Sequence, residues 1–208
     1  MKKEKNKSNY SSPFKGRLGG VSKTICLLFL VFGLLSCGTS PETRFYTLSA
    51  EPANIKSIDS RKILIGVDSV TVAGYVERPQ IVTTKEDTEI SMSEYNRWAE
   101  PLAYSMQRAV AQNLSKYFKN GMAKPLSSDR GSYDYIVRIE LNKFDGRFGG
   151  TAQLDAWWTV LNKDNKVVAR EHSALSAPLG HDYNDLVSRQ NDLLAALSGQ
   201  IARKISKF

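Results

Sequence analysis

Three stretches in the carboxyl half, "YDYIVRIELNKF" (133–144), "TAQLDAWWTVLNK" (151–163) and "KVVAREHSALS" (166–176), constrain the fold more than any other feature of this chain. Each is rich in β-branched, aromatic and aliphatic residues, the composition of a pleated, half-buried surface. The first two are joined by "DGRFGG" and the last two by a tight turn at "NKDN" (162–165). Connections that short allow antiparallel neighbours and no crossover, so the three strands form a meander. Within it Trp157 and Trp158 must point to opposite faces. One belongs to the core, and the other lies under a helix or faces outward.

Upstream, "RFYTL" (44–48) reads as a first strand, 49–60 as a polar loop, and "KILIGVDSVTV" (62–72) as a strand with Ile63, Ile65 and Val67 on one face. Pro79 cannot donate to a ladder, so "QIVTT" is an edge strand or begins just after the proline, with "TEISMSE" (88–94) as candidate hairpin partner. Trp98, Leu102, Met106, Ala109, Val110, Leu114 and Phe118 recur at steps of three and four and predict a helix over 98–118. Asn96 or Ser93 is its candidate cap, Pro101 is acceptable only in its first turn, and Gly121 suits a left-handed end. A last helix follows Asp182, the expected N-cap. Asp185 sits in its first turn, its stripe runs through Leu186, Val187, Leu194, Leu197, Ile201 and Ile205, and Arg203, Lys204 and Lys207 lie near its carboxyl end. The expectation is α+β: a single domain with a mostly antiparallel sheet and two long helices packed against it. There is no internal repeat.

The amino terminus reads differently. Residues 1–24 carry seven Lys and Arg and one acid, and "ICLLFLVFGLLS" (25–36) has no charge. A basic leader before about a dozen apolar residues fits an export signal and falls short of the ~20 residues a spanning helix needs. The run ends in "LLSC", which resembles the lipobox of bacterial lipoproteins. Cys37 is then the acylated residue and the new amino terminus, Leu35 being larger than is usual at its position. Stable anchoring takes more than one acyl chain. The other cysteine, Cys26, lies inside the segment to be removed, leaving Cys37 no partner in the mature chain. The expected organisation is a signal peptide over 1–36, a lipidated tether over 37–43 and a domain over 44–208. Gly38, where an Asp tends to favour the inner membrane, suggests the outer membrane, facing the periplasm. Without the leader the chain keeps 22 basic and 20 acidic residues, so its net charge of +8 is no sign of nucleic acid. The six residues 38–43 reach at most ~20 Å, which keeps the domain close to the membrane.

Catalytic chemistry has few candidates. His172 and His181 stand at no metal-ligand spacing, so neither a metal nor a cofactor is expected. His181 beside Asp182 is a conceivable base and orienter for a hydrolase, but no serine sits in a "GxSxG" context. "GRFGG" (146–150) lacks the Lys-Ser/Thr of a phosphate loop and joins two strands, which favours hairpin glycines. Phe144 and Phe148 near that loop are candidate contact residues for a partner or lipid. In "NRWAEPLA" (96–103), Trp98 is in phase with the helix stripe, and Arg97 and Glu100, three apart on the exposed side, are placed to pair across the first turn. That makes the segment a structural and docking element rather than an active site.

"FYTL" behind a lipobox, "ILIGVDSVTVAGYVERPQIVT", "RWAEPLAYSMQRAVAQNL" and "LDAWWTVLNKDNKVV", in this order, resemble the ABC-type transport auxiliary lipoproteins, in particular the paraquat-inducible protein C group. The resemblance covers about 44–205, and Glu77 stands where the family commonly has Asp. It implies a non-enzymatic lipoprotein of the outer membrane that pairs with an inner-membrane-anchored protein bearing mammalian-cell-entry (MCE) domains, in a lipid route across the periplasm that supports the envelope. A homo-oligomer would suit a tubular partner. Tyr75, Arg78, Pro79, Arg97 and Glu100 are the expected partner-binding residues, or else a bracket that only fixes the turn against the helix. The alternative reading is a lipoprotein regulator of cell-wall synthases or peptidoglycan, which no recognisable binding motif supports.

Overall fold

The structure, a computed structural model, describes residues 40–50, 57–86, 88–126 and 133–208. The leader and Cys37 lie outside the described residues, as does part of the 49–60 loop. The elements are β1 (Arg44–Tyr46), β2 (Leu64–Val67), β3 (Thr71–Val72), β4 (Gln80–Thr84), β5 (Ile90–Trp98), α1 (Leu102–Tyr117), β6 (Met122–Pro125), β7 (Tyr135–Gly146), β8 (Thr151–Asn162), β9 (Val167–Pro178) and α2 (Tyr183–Ile205).

The meander forms as its alternation requires, with β7, β8 and β9 paired antiparallel in sequence order. Its first turn places Gly149 at φ 71°, a conformation that favours glycine, and Arg147 N–H donates to the Thr151 carbonyl at 3.0 Å. The second turn puts Asn165 at φ 58°, while Asn162 Oδ1 accepts from the backbone of Asp164 and Lys166. Trp158 is buried, its indole N–H donating to Ser173 Oγ at 2.9 Å. Trp157, 46% exposed, lies 4.9 Å from the His172 ring on the opposite face.

The α+β expectation holds, with two helices among the described residues, but the strands described there form two sheets instead of one. A three-stranded sheet has the order β1-β5-β4, and a larger one runs β6-β2-β7-β8-β9 with β3 beside β7. Several pairings are parallel: β1 with β5, β2 with both β6 and β7, and β3 with β7. The chain reaches β6 from β2 through the small sheet and α1, the long connection that parallel neighbours need. The 62–72 strand breaks between β2 and β3, and Ile63, Ile65 and Val67 are buried as one face. β4 begins directly after Pro79 and is an edge strand, with β5 as its antiparallel partner.

Helix α1 begins later than its apolar spacing predicts. Trp98 is the last residue of β5, and Pro101 occupies the N-cap without a side-chain cap from Asn96 or Ser93. A proline disfavours helical backbone at the residue before it, so Glu100 stays outside the helix and the strand runs to Trp98. Gly121 is not in the left-handed region either. It is needed for space, since a Cβ there would stand 2.7 Å from Phe118 Cβ. In α2, Asp182 caps as expected, its Oδ1 accepting from Asp185 N–H at 2.8 Å, and Arg203 and Lys204 lie in the last turn.

The buried stripes of the two helices pack on each other and on the sheets to form the main core. Polar side chains within those stripes bind backbone that no ladder satisfies. Ser105 Oγ accepts from Leu48 N–H at 3.1 Å, and Asn191 Oδ1 accepts from Ser49 N–H at 3.1 Å. Asn113 is different: it is 0% exposed, and neither amide atom has a partner. An unmet buried amide costs about 1–3 kcal/mol. Asn113→Leu, similar in size, is therefore expected to stabilise the domain by about 1 kcal/mol and raise its Tm by about 2–4 °C in a thermal melt. A lower Tm would mean that the amide makes an interaction the fold depends on.

Candidate functional site

The two segments on either side of the small sheet converge. Trp98 N–H donates to the Pro79 carbonyl at 2.7 Å, and Ala99 N–H donates to the Tyr46 carbonyl at 2.7 Å. These bonds bring the turn before β4 against the start of α1 and leave a mostly apolar groove of about 410 Å³ between Glu77–Pro79 and Trp98–Ala103. Beside it, Met92 on β5, which accepts from the lining residue Arg78, and Tyr104 in the first turn of α1, next to the lining residue Ala103, are exposed.

Three of the residues singled out in the sequence line this groove. Pro79 and Glu100 lie on its two walls, with Arg78 beside Pro79. The Arg78 Nη1 donates to Met92 Sδ at 2.7 Å, and its Nε is buried without a partner. Glu100 does not pair with Arg97. Its carboxylate is held in a fork by Arg108, with Nη1 donating to Oε2 at 2.7 Å and Nη2 to Oε1, and Thr47 Oγ1 donates to Oε1 at 3.0 Å. The Arg108 guanidinium, and secondarily the Thr47 and Ser105 hydroxyls, lower the Glu100 pKa to about 2 although burial opposes the shift. Arg108 also lies 5.6 Å from the centre of the Tyr104 ring. Arg97 is not among the lining residues and donates to the Glu94 carbonyl at 3.2 Å.

The remaining candidates lie elsewhere. The Tyr75 hydroxyl donates to Asp145 Oδ2 at 2.6 Å, and burial together with that carboxyl pushes the tyrosine pKa upward. Phe144 is 2% exposed and belongs to the core, so the contact surface expected at this residue is not there. Phe148 is half-buried in an edge-to-face contact with Tyr183, ring centres 5.1 Å apart. His172 Nε2 lies 2.9 Å from Asp155 Oδ2 on the outer face of the meander. Burial raises the Asp155 pKa, but hydrogen bonds from Asn142 and His172 outweigh it and leave the carboxyl below its ordinary value. Asp182, the conceivable orienter of His181, has its Oδ1 committed to capping α2. Among the described residues no three His, Cys, Asp or Glu side chains are grouped as metal ligands, and no helix is long and apolar enough to cross a membrane.

Arg108, Thr47 and Asp145 were not legible as site residues. Glu100 lies before the helix, with its Pro101 N-cap between it and Arg108, so no single helical or strand period spans the pair. Asp145 lies next to a hairpin glycine and gives no local sign of its burial.

These elements define a two-sheet, two-helix α+β domain with an apolar groove where the small sheet meets the first helix. The chain belongs to the ABC-type transport auxiliary lipoprotein component family, whose model matches residues 46–202. No curated protein matches it. Among solved structures, the crystal structure of an uncharacterized protein shares the fold at a TM-score of 0.65 and 22% identity, over 79% of this chain and 99% of that one. A protein of Xanthomonas campestris assigned to family DUF330 also has a TM-score of 0.65, at 16% identity, over 77% of this chain and 93% of that one. The family is one of transport components, lipoproteins of the cell envelope.

Proposed function

We propose that this lipoprotein is the outer-membrane docking subunit of an MCE-type lipid transport system. Acyl chains on Cys37 hold it on the periplasmic face of the membrane, and the groove between Glu77–Pro79 and Trp98–Ala103 takes a segment of the MCE-domain protein that reaches across from the inner membrane. The role is binding, without catalysis, and it supports envelope integrity by keeping the two membranes' transport parts together. The observation that carries this reading is the groove itself. It brings together "YVERPQIV" and "RWAEPL", the two segments on which the family resemblance is most specific, and family membership supplies the transport context. Exposed Met92 and Tyr104 beside it extend an apolar surface of the kind that marks interaction sites.

The test is photo-crosslinking in intact cells from Ala99, an exposed lining residue, in the full lipoprotein, with mass spectrometry of the captured protein. An MCE-domain protein is expected. Reversing charge at Arg78 and Arg97 together is expected to cut that capture by about tenfold or more while the domain still melts cooperatively. Capture of a cell-wall synthase in its place, or undiminished capture by the folded variant, would overturn the assignment.

A further inference from the structure

Phe45 is 65% exposed, more than any other large apolar side chain among the described residues, and it stands where the domain joins its tether. The chain alternates here. Tyr46 and Leu48 pack into the core, while Phe45 and Thr47 turn to solvent. Phe45 lies opposite Arg97 of β5 and follows exposed Arg44. Neither arginine forms an ion pair among the described residues. Thr47 carries the surface on to α1. Its Oγ1 accepts from Arg108 Nη2 at 3.2 Å, and that guanidinium lies 5.6 Å from the centre of the exposed Tyr104 ring. Two exposed aromatic rings and two unpaired arginines therefore share the surface around β1.

The chain that leads to β1 indicates what covers this surface. Residues 38–43 reach at most ~20 Å. A compact domain the size of 44–208 is about 40 Å across. A domain anchored through so short a tether brings only the side bearing β1 to the membrane. The composition of that side suits a lipid surface, since aromatic rings settle at the level of the headgroups and arginines meet the phosphates there.

We propose that Phe45 and Tyr104 insert at the headgroup level of the membrane that holds Cys37, with Arg44 and Arg97 against the lipid phosphates. The proposal rests on the anchoring put forward above and deepens it, because it orients the docking groove. The wall of that groove begins at Trp98, next to Arg97, so the partner segment is held beside the lipid surface.

The test uses the full acylated lipoprotein in vesicles of phosphatidylethanolamine and phosphatidylglycerol, with no partner protein. Cys37 is then acylated and Cys26 has left with the leader, so Phe45→Cys supplies the single free thiol for a nitroxide label. Lys163→Cys, in the exposed β8–β9 turn, is the control. Beyond β1, Ser49 meets α2 at Asn191, whereas the turn lies near the end of α2, where Tyr135, opposite Asn162, contacts Phe208. About 20 Å of helix separates the two levels. Electron paramagnetic resonance is expected to place the label at 45 about 5–10 Å into the boundary of headgroups and acyl chains. Its collisions with lipid-dissolved oxygen, relative to a water-soluble nickel chelate, are expected to exceed those at 163 several-fold. Arg44→Glu with Arg97→Glu is expected to cut that ratio several-fold at an unchanged melting temperature, because reversed charge is repelled by phosphatidylglycerol. A label at 45 as open to nickel as the one at 163, a label shielded from oxygen and nickel alike as beneath a second protein, or a ratio unmoved by the charge reversal would each overturn the proposal. Flotation with the vesicles separates it from the reading it rests on. A chain that does not float has no anchor, which overturns both, whereas a chain that floats with its label in water overturns this proposal alone.

Discussion

Phe144→Ala is expected to destabilise the domain by about 3–5 kcal/mol, the cost of emptying a phenylalanine-sized space in a packed core. Two residues from a hairpin glycine, Phe144 reads as a surface residue, and the reason it is not one lies in the ladder. β7 advances two residues, from Leu141 to Lys143, while β8 advances one, from Ala156 to Asp155. That bulge changes the parity of the strand, so Phe144, three residues from Leu141, is buried in the same core cluster. Phe148→Ala removes a half-buried ring and one aromatic contact, for which a cost of about 1 kcal/mol is expected. Urea unfolding of the two variants measures the difference as a shift in midpoint at constant m. An unchanged midpoint for Phe144→Ala would refute the core placement and return this residue to the surface.

Glu100→Gln is expected to lower stability by about 1–2 kcal/mol at neutral pH, a figure reduced from the full pKa shift because the Arg108 pair is partly open to solvent. Arg108 lowers the folded-state pKa of Glu100 to about 2 from its ordinary 4.5. A carboxylate with a depressed folded pKa contributes its stability above the unfolded value and loses it as pH falls through the folded one. The gap between wild type and variant should therefore be full at neutral pH and close as pH falls from about 4.5 toward about 2. It should also narrow with added salt, as a partly exposed ion pair does. Chemical denaturation at several pH values reads both effects. A gap that persists unchanged at pH 2 would show that the contribution of Glu100 is packing and not charge.

This ion pair also fixes the geometry of the groove. Arg108 lies on α1, Thr47 follows β1 and Glu100 precedes the helix, so one carboxylate ties three parts of the chain beside the proposed docking surface. Glu100 lines that surface, as its place in "RWAEPL" suggests, but its partner is Arg108 and not Arg97. Arg97 is three residues away in the chain, yet the strand that ends at Trp98 carries it elsewhere.

What the sequence determined by itself was local. Alternation and two turns built the β7–β9 meander, an Asp182 cap and an apolar stripe built α2, and Pro79 placed the start of β4, because each of these signals acts within one hairpin or a few helical turns. The basic leader, the apolar run and "LLSC" are of the same kind and remain an expectation about Cys37. Only the tertiary structure decided which strands pair in parallel, such as Arg44 opposite Asn96 and Ile65 opposite Tyr135. The same holds for the partners of Glu100 and Tyr75 and for the burial of Phe144 and Asp145. Those outcomes depend on registers and contacts between residues far apart in the chain, or on a single extra residue in a ladder. No periodicity encodes them, since the free energy that selects them arises only once the distant segments are packed together.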